Sequence, residues 1–209
     1  MANAHSIECL ALGCTAVGIP LTLTAVAIGL SPWFNVLDNA LSDLGHATRS
    51  SVAPIFNLGL SLGGFLMGIH AAGYGERHSR VLAWEVIFTG FSMLLIGVFD
   101  EVYDRFLHLH FWVSAIFFSS LAVFLVTYTV LKRTPLPTIS LVIEVTTWLL
   151  HLSWRMPRGA AVPELVSIAA TLPFYLAYVA EIAKLPVEKV RTPTSATAKP
   201  VEFLEAPST

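Results

Sequence analysis

Ser31–Asn57, SPWFNVLDNALSDLGHATRSSVAPIFN, is a polar interruption between two apolar runs, at about 7–30 and 52–72. A helix that crosses a bilayer needs about 20 predominantly apolar residues, and both flanking runs are of that length. Asn35, Asp38, Asn39, Ser42, Asp43 and His46 crowd into the middle of the interruption. A loop of this kind between two spanning runs predicts a polytopic helical protein.

The same alternation continues outward. Further apolar runs lie at about 81–99, 109–131, 136–152 and 160–183. The fold class expected is all-α, a six-helix transmembrane bundle filling residues 1–184. From about 185 to 209 Pro, Thr, Ala, Lys and Glu dominate without periodicity, which reads as a disordered tail. Ser31-Pro32 supplies an N-cap followed by proline at the first helical position. Trp33, Phe34, Leu37, Leu41 and Leu44 then recur at helical spacing, which predicts a short interfacial amphipathic helix after the first span. Pro20 predicts a kink in span one, and Pro163 and Pro173 predict a bent span six. Gly59-xxx-Gly63 and Gly64-xxx-Gly68 in span two predict close helix packing. Ala25-Val26-Ala27 follows an apolar region but no Lys or Arg precedes it, so the first segment reads as a retained span.

Composition agrees. The chain is 55% apolar and 12% charged, with a mean hydropathy of +0.71, whereas soluble domains are about a quarter charged. A net charge of −2 and the lack of a basic stripe exclude nucleic acid as a partner; membrane lipids are the expected partners. Nothing in the pattern specifies an oligomeric state. Cys9 and Cys14, five apart in span one, lack metal-ligand or redox spacing and read as packing residues.

With six spans, both termini share a side with the second and fourth loops. That side carries Arg77, Arg80, Lys132, Arg133, Lys184, Lys189, Arg191 and Lys199, against Arg49, Arg105, Arg155 and Arg158 opposite. The positive-inside rule therefore predicts cytoplasmic termini in a cell membrane, with loops one, three and five facing out.

Three constellations carry possible chemistry. Asp38, Ser42, Asp43 and His46 form the first, readable either as a solvated polar face or as a functional surface. In the loop DEVYDRFLHLH at 100–110, a helical conformation stacks Asp100, Asp104 and His108 on one face, where they could ligate a divalent metal such as Zn, Mn or Mg. Its bland reading is a hydrated loop. His110 instead shares a face of span four with Ser114 and Phe118. The third is a stripe on span five, Glu144, Trp148, His151 and Arg155, running toward the fifth loop. An intramembrane carboxylate is costly and points to the bundle interior, as a site or as a structural pair. No phosphate-binding glycine loop, GxSxG elbow, HExxH motif or voltage-sensor arginine series occurs.

Ser42-Asp43-Leu44-Gly45, followed by Pro54, Phe56-Asn57 and Gly59, resembles the first-loop signature of a six-span prokaryotic membrane family classed as a domain of unknown function, number nine-nine-eight. Gly97-Val98-Phe99 followed by His110-xxx-Ser114-xxx-Phe118 resembles its second signature, although Asp100 stands where that pattern commonly has proline. The resemblance covers residues 8–183. It implies a distant similarity to Frag/DRAM/Sfk-type membrane proteins and lifts Asp43, Asn57 and His110 above their neighbours.

The functional expectation is a polar pocket at the outer leaflet binding a lipid head group or another amphiphile. Its expected lining is Asp38, Ser42, Asp43, Asn57, His110, Glu144, His151 and Arg155, with Arg155 and Arg158 holding phosphate or carboxylate. One alternative is a metal-dependent membrane hydrolase using Asp43, His110 and Asp104 with metal at Asp100, Asp104 and His108. Another is a proton- or ion-coupled transporter working through Glu144 and His151.

Overall fold

In a computed structural model, residues 4–185 are described. They form six long helices: α1 (Ala4–Gly29), α2 (Ala53–Tyr74), α3 (Arg80–Val98), α4 (Leu109–Lys132), α5 (Leu136–Trp154) and α6 (Ala161–Ala183). All six are long and apolar enough to cross a membrane, and no strand occurs among the described residues. This is a multi-pass membrane protein. Its outer surface is correspondingly apolar, with Phe65, Trp84, Phe91, Trp112 and Leu152 exposed, as a bilayer solvent favours. Apart from Leu185, the expected tail over 185–209 lies outside the described residues.

Short connections make successive helices neighbours. α2 packs closely on α1 and α3, α4 touches α3, α5 and α6, and α6 closes back on α1. The glycines of α2 explain the tight side. A Cβ at Gly59 would meet Leu23, one at Gly63 would meet the Pro20 ring, and one at Gly64 would collide with the Gly90 backbone of α3. Gly59 and Gly63 therefore serve α1, whereas Gly64 serves α3. Pro20 has no N–H to offer Ala16, so that carbonyl is free of its helical partner; it lies against Gly63.

One end of the bundle gathers the start of α1, the second loop and the ends of α4 and α6. Arg77 donates to His5 at 3.1 Å. Glu181 pairs with Lys132 at 2.6 Å and with His78 at 3.2 Å. Burial lowers the His78 pKa, the Lys132 charge lowers it further, and Glu181 opposes both. Inward from this end, Cys9, His70, Tyr175 and Tyr178 are buried together. Cys9 and Cys14 are unpaired with each other, one buried and one exposed.

The first loop differs from the expected amphipathic helix. Its only helical piece is a five-residue 3-10 helix, Leu41–Gly45, preceded by turns. The cause is local. Asn35 Oδ1 accepts the Leu37 N–H and Asn39 Oδ1 accepts the Asn35 N–H, each at 2.9 Å. Asparagine side chains thereby take donors that a helix would need, the competition that keeps asparagine out of helix interiors. The carbonyls of Leu37 and Asn39 are claimed by Gly159 N of the fifth loop and Ala161 N at the start of α6, also at 2.9 Å. Leu41 and Leu44 turn inward with Ala27, Val52, Phe56 and Ala161. Trp33 and Leu37 stay exposed, while Leu41 and Leu44 anchor the loop as a cap over the bundle.

Candidate functional site

Loops one, three and five meet beneath this cap. The first-loop 3-10 helix is stapled by Asp43, whose Oδ2 accepts the Ala40 N–H and the Asn39 side-chain amide, each at 2.9 Å. Asn57, in the second turn of α2, donates to the Gly45 carbonyl at 2.9 Å. Its amide oxygen occupies the space that a Cβ on Gly45 would need. Two further carboxylates then reach this loop from distant parts of the chain. Glu164, in the first turn of α6, is buried and accepts the Leu41 N–H at 2.6 Å. Glu101, in the third-loop 3-10 helix Glu101–Arg105, accepts from the Ser42 hydroxyl at 2.7 Å.

His110 completes the corner. Its Nδ1 lies 2.8 Å from the Phe99 carbonyl, and a carbonyl can only accept, so Nδ1 carries the proton. Nε2 is then the acceptor in the neutral ring and lies 3.4 Å from the Ser114 hydroxyl. Asp43 and His110 both act electrostatically on Glu101, and Glu101 and Asp43 on Glu164. Burial pushes the Glu101 carboxyl above the ordinary carboxylate range and the Asp43 charge raises it further, while the Ser42 bond and His110 oppose the rise. Three carboxylates, one hydroxyl and one imidazole thus converge with no Lys or Arg among them.

This cluster caps a cavity of about 240 Å³ inside the bundle. Pro20, Met93, Phe117, Leu121 and Ile168 contribute apolar walls, and Ser42 and Glu164 line it at the loop-one end. It continues to Phe124 and Tyr175 in the opposite half; Tyr175 lies eleven residues beyond Glu164 on α6, about 16 Å along the axis.

The other sequence-derived candidates go elsewhere. Asp38 pairs with the exposed Arg158 at 3.1 Å. Arg155 is exposed and ends α5 in a left-handed conformation, φ 54°. Neither arginine joins the cluster. Glu144 is buried on α5, in contact with Ser167 of α6, and it does not line the cavity. Trp148 Nε1 donates to the same Ser167 at 2.9 Å, and His151 Nδ1 donates to the Pro157 carbonyl at 2.9 Å. The span-five stripe therefore faces α6 and the fifth loop.

The expected stack of Asp100, Asp104 and His108 does not form, because the third loop is not an α-helix. Asp100 caps the 3-10 helix through Val102 N at 2.8 Å, Asp104 accepts the Phe111 N–H at 2.9 Å, and His108 is exposed with φ 53°. Among the described residues, no three His, Cys, Asp or Glu side chains are placed to hold a metal ion. Nothing in the sequence marks Glu164 as a site residue. A carboxylate in the first turn of an apolar helix is ordinary there, since it complements the helix dipole. Only the fold of the first loop over it makes it a buried partner. Glu101 was visible as a loop acid but had nothing in the sequence to separate it from Asp100 and Asp104.

Residues 14–181 match the model of the family described as "Protein of unknown function (DUF998)", and the chain belongs to that family. No curated protein and no solved structure matches it, so the expected similarity to Frag/DRAM/Sfk-type proteins has no match behind it. The residues that carried the family resemblance are spatial neighbours: Ser42, Asp43, Asn57, Phe99 and His110 all belong to the corner just described, and a Cβ on Gly97 would press on Ser61 and the Asn57 carbonyl.

Proposed function

We propose that this family member binds a single-chain amphiphile with a cationic amine head, the chain inside the bundle and the head against Ser42, Glu101 and Glu164. The observation that carries the reading is the joining of an apolar cavity to an acidic cluster at one end. Ligand sites are mostly apolar with a few convergent polar groups that fix orientation. Three carboxylates without a neighbouring Lys or Arg attract an ammonium and repel a phosphate, and this replaces the expectation that Arg155 and Arg158 hold an anion. The cavity of about 240 Å³ has mainly apolar walls, along which an alkyl chain can lie. The positive-inside count supports an orientation with both termini cytoplasmic and the cluster at the outer leaflet of a cell membrane.

Isothermal titration of the purified protein in nanodiscs with decylamine, decyltrimethylammonium and decyl phosphate tests this. Saturable binding of the amines and none of the phosphate is expected. Glu164→Gln should weaken amine binding about tenfold, ~1.4 kcal/mol, since the amide still accepts from Leu41 but carries no charge. Absence of saturable amine binding, or a preference for the phosphate, overturns the proposal.

A further inference from the structure

Thr89 on α3 and Thr171 on α6 both line the cavity. Both side chains are buried, at 5% and 6% exposure, and neither hydroxyl has a hydrogen-bond partner. A threonine in a helix ordinarily satisfies its hydroxyl on the carbonyl three or four residues back. Here two such groups stay open in the same cavity, and an unmet buried hydroxyl is costly. Their heights agree. Thr89 lies nine residues from Val98 at the loop-three end of α3, and Thr171 lies ten residues from Ala161 at the loop-five end of α6, about 14–15 Å along each axis. Thr171 is also seven residues beyond Glu164 on the same helix, about 10 Å deeper.

We infer that Thr89 and Thr171 form a second polar subsite, which selects an amphiphile whose chain carries a hydroxyl or carbonyl about 10 Å from its head. This rests on the amphiphile reading above and adds its specificity. A plain alkyl chain leaves both hydroxyls unmet, whereas an oxygen at that depth can accept from a threonine hydroxyl. The apolar walls above and below explain why the selected group is an interruption of a chain and not the end of a polar ligand.

The probes are decylamine, 8-hydroxydecylamine and 2-hydroxydecylamine, titrated into the full chain in nanodiscs. The wild type should bind the 8-hydroxy amine about three- to tenfold more tightly than decylamine, the range one hydrogen bond supplies. The 2-hydroxy isomer, with its oxygen beside the head, should show no such gain. Thr89→Val and Thr171→Val keep the side-chain shape; each should reduce the 8-hydroxy preference without weakening decylamine binding, and the double variant should abolish it. Retained decylamine binding also certifies that the variants are folded. Equal wild-type affinity for decylamine and the 8-hydroxy amine overturns this inference alone, as does a preference that survives in the double variant. Failure of every amine to bind overturns both this inference and the function it rests on.

Discussion

Glu164 holds the first loop through one buried acceptor, and substitutions there separate its charge from its hydrogen bond. Glu164→Leu leaves the Leu41 N–H without its partner and should lower stability by about 1–3 kcal/mol. Glu164→Gln retains an acceptor and should cost less than about 1 kcal/mol. Thermal unfolding in a fixed detergent measures both, and equal losses would show that the Leu41 bond is not what matters. Glu101 makes a pH-dependent contribution of definite sign. Its folded pKa is raised above the unfolded value, chiefly by burial, so the native state binds the extra proton. Stability from this group is complete below the ordinary carboxylate value of 4.5 and is lost as pH rises through the higher folded value. Unfolding midpoints measured across that window should fall with rising pH, and Glu101→Gln should flatten the slope; an unchanged slope in the variant would remove Glu101 as its source. Asp43 and His110 could be singled out from the sequence because they stand in recognisable motifs. Glu164 could not, because its role depends on Leu41, 123 positions away in the chain.

At the level of elements, glycine positions decide which helices and loops can touch. Gly64 and Gly68 look equivalent in the sequence, yet a Cβ at Gly64 meets the Gly90 backbone and one at Gly68 meets nothing within 4 Å. Backbone cannot swing aside as a flexible side chain can, so Gly64→Ala should cost about 1–3 kcal/mol, the usual range for overpacking. Gly68→Ala should be neutral or slightly stabilising. Comparable melting losses for both would mean that the α2–α3 approach is looser than described. Gly159 poses the same problem between loops, because its Cβ would strike the backbone of Asp38 and Asn39. Gly159→Ala should lift the first loop and speed tryptic cleavage after the exposed Arg49, while Gly18→Ala, facing open space, should leave that rate unchanged. The apolar runs made the helices legible, since length and composition dominate in a membrane. The first loop departs from its apolar periodicity because the 3.6-residue pattern, though real, loses to Asn35 and Asn39 capturing backbone donors. Periodicity reports which residues are apolar; it does not report where the side-chain amides turn.

Across the whole molecule, the two ends of the bundle have different chemistry. One end has His5, Arg77, His78, Lys132 and Glu181 in paired contacts. The other has Ser42, Asp43, Glu101, His110 and Glu164. Charged residues are expensive to carry across a bilayer, and Lys and Arg near span ends bias the end they occupy toward the cytoplasm. The arginine-and-lysine-rich end should therefore lie inside and the acidic cap outside, where an amphiphile could enter from the outer leaflet. Ala47 in the first loop and Glu76 in the second are both exposed, so single cysteines there report the two ends. In a background with Cys9 and Cys14 replaced by Ala, Ala47→Cys should react with a membrane-impermeant maleimide in intact cells. Glu76→Cys should react only after lysis. The reverse pattern would put the acidic cluster on the cytoplasmic side and confine any amphiphile it binds to the inner leaflet.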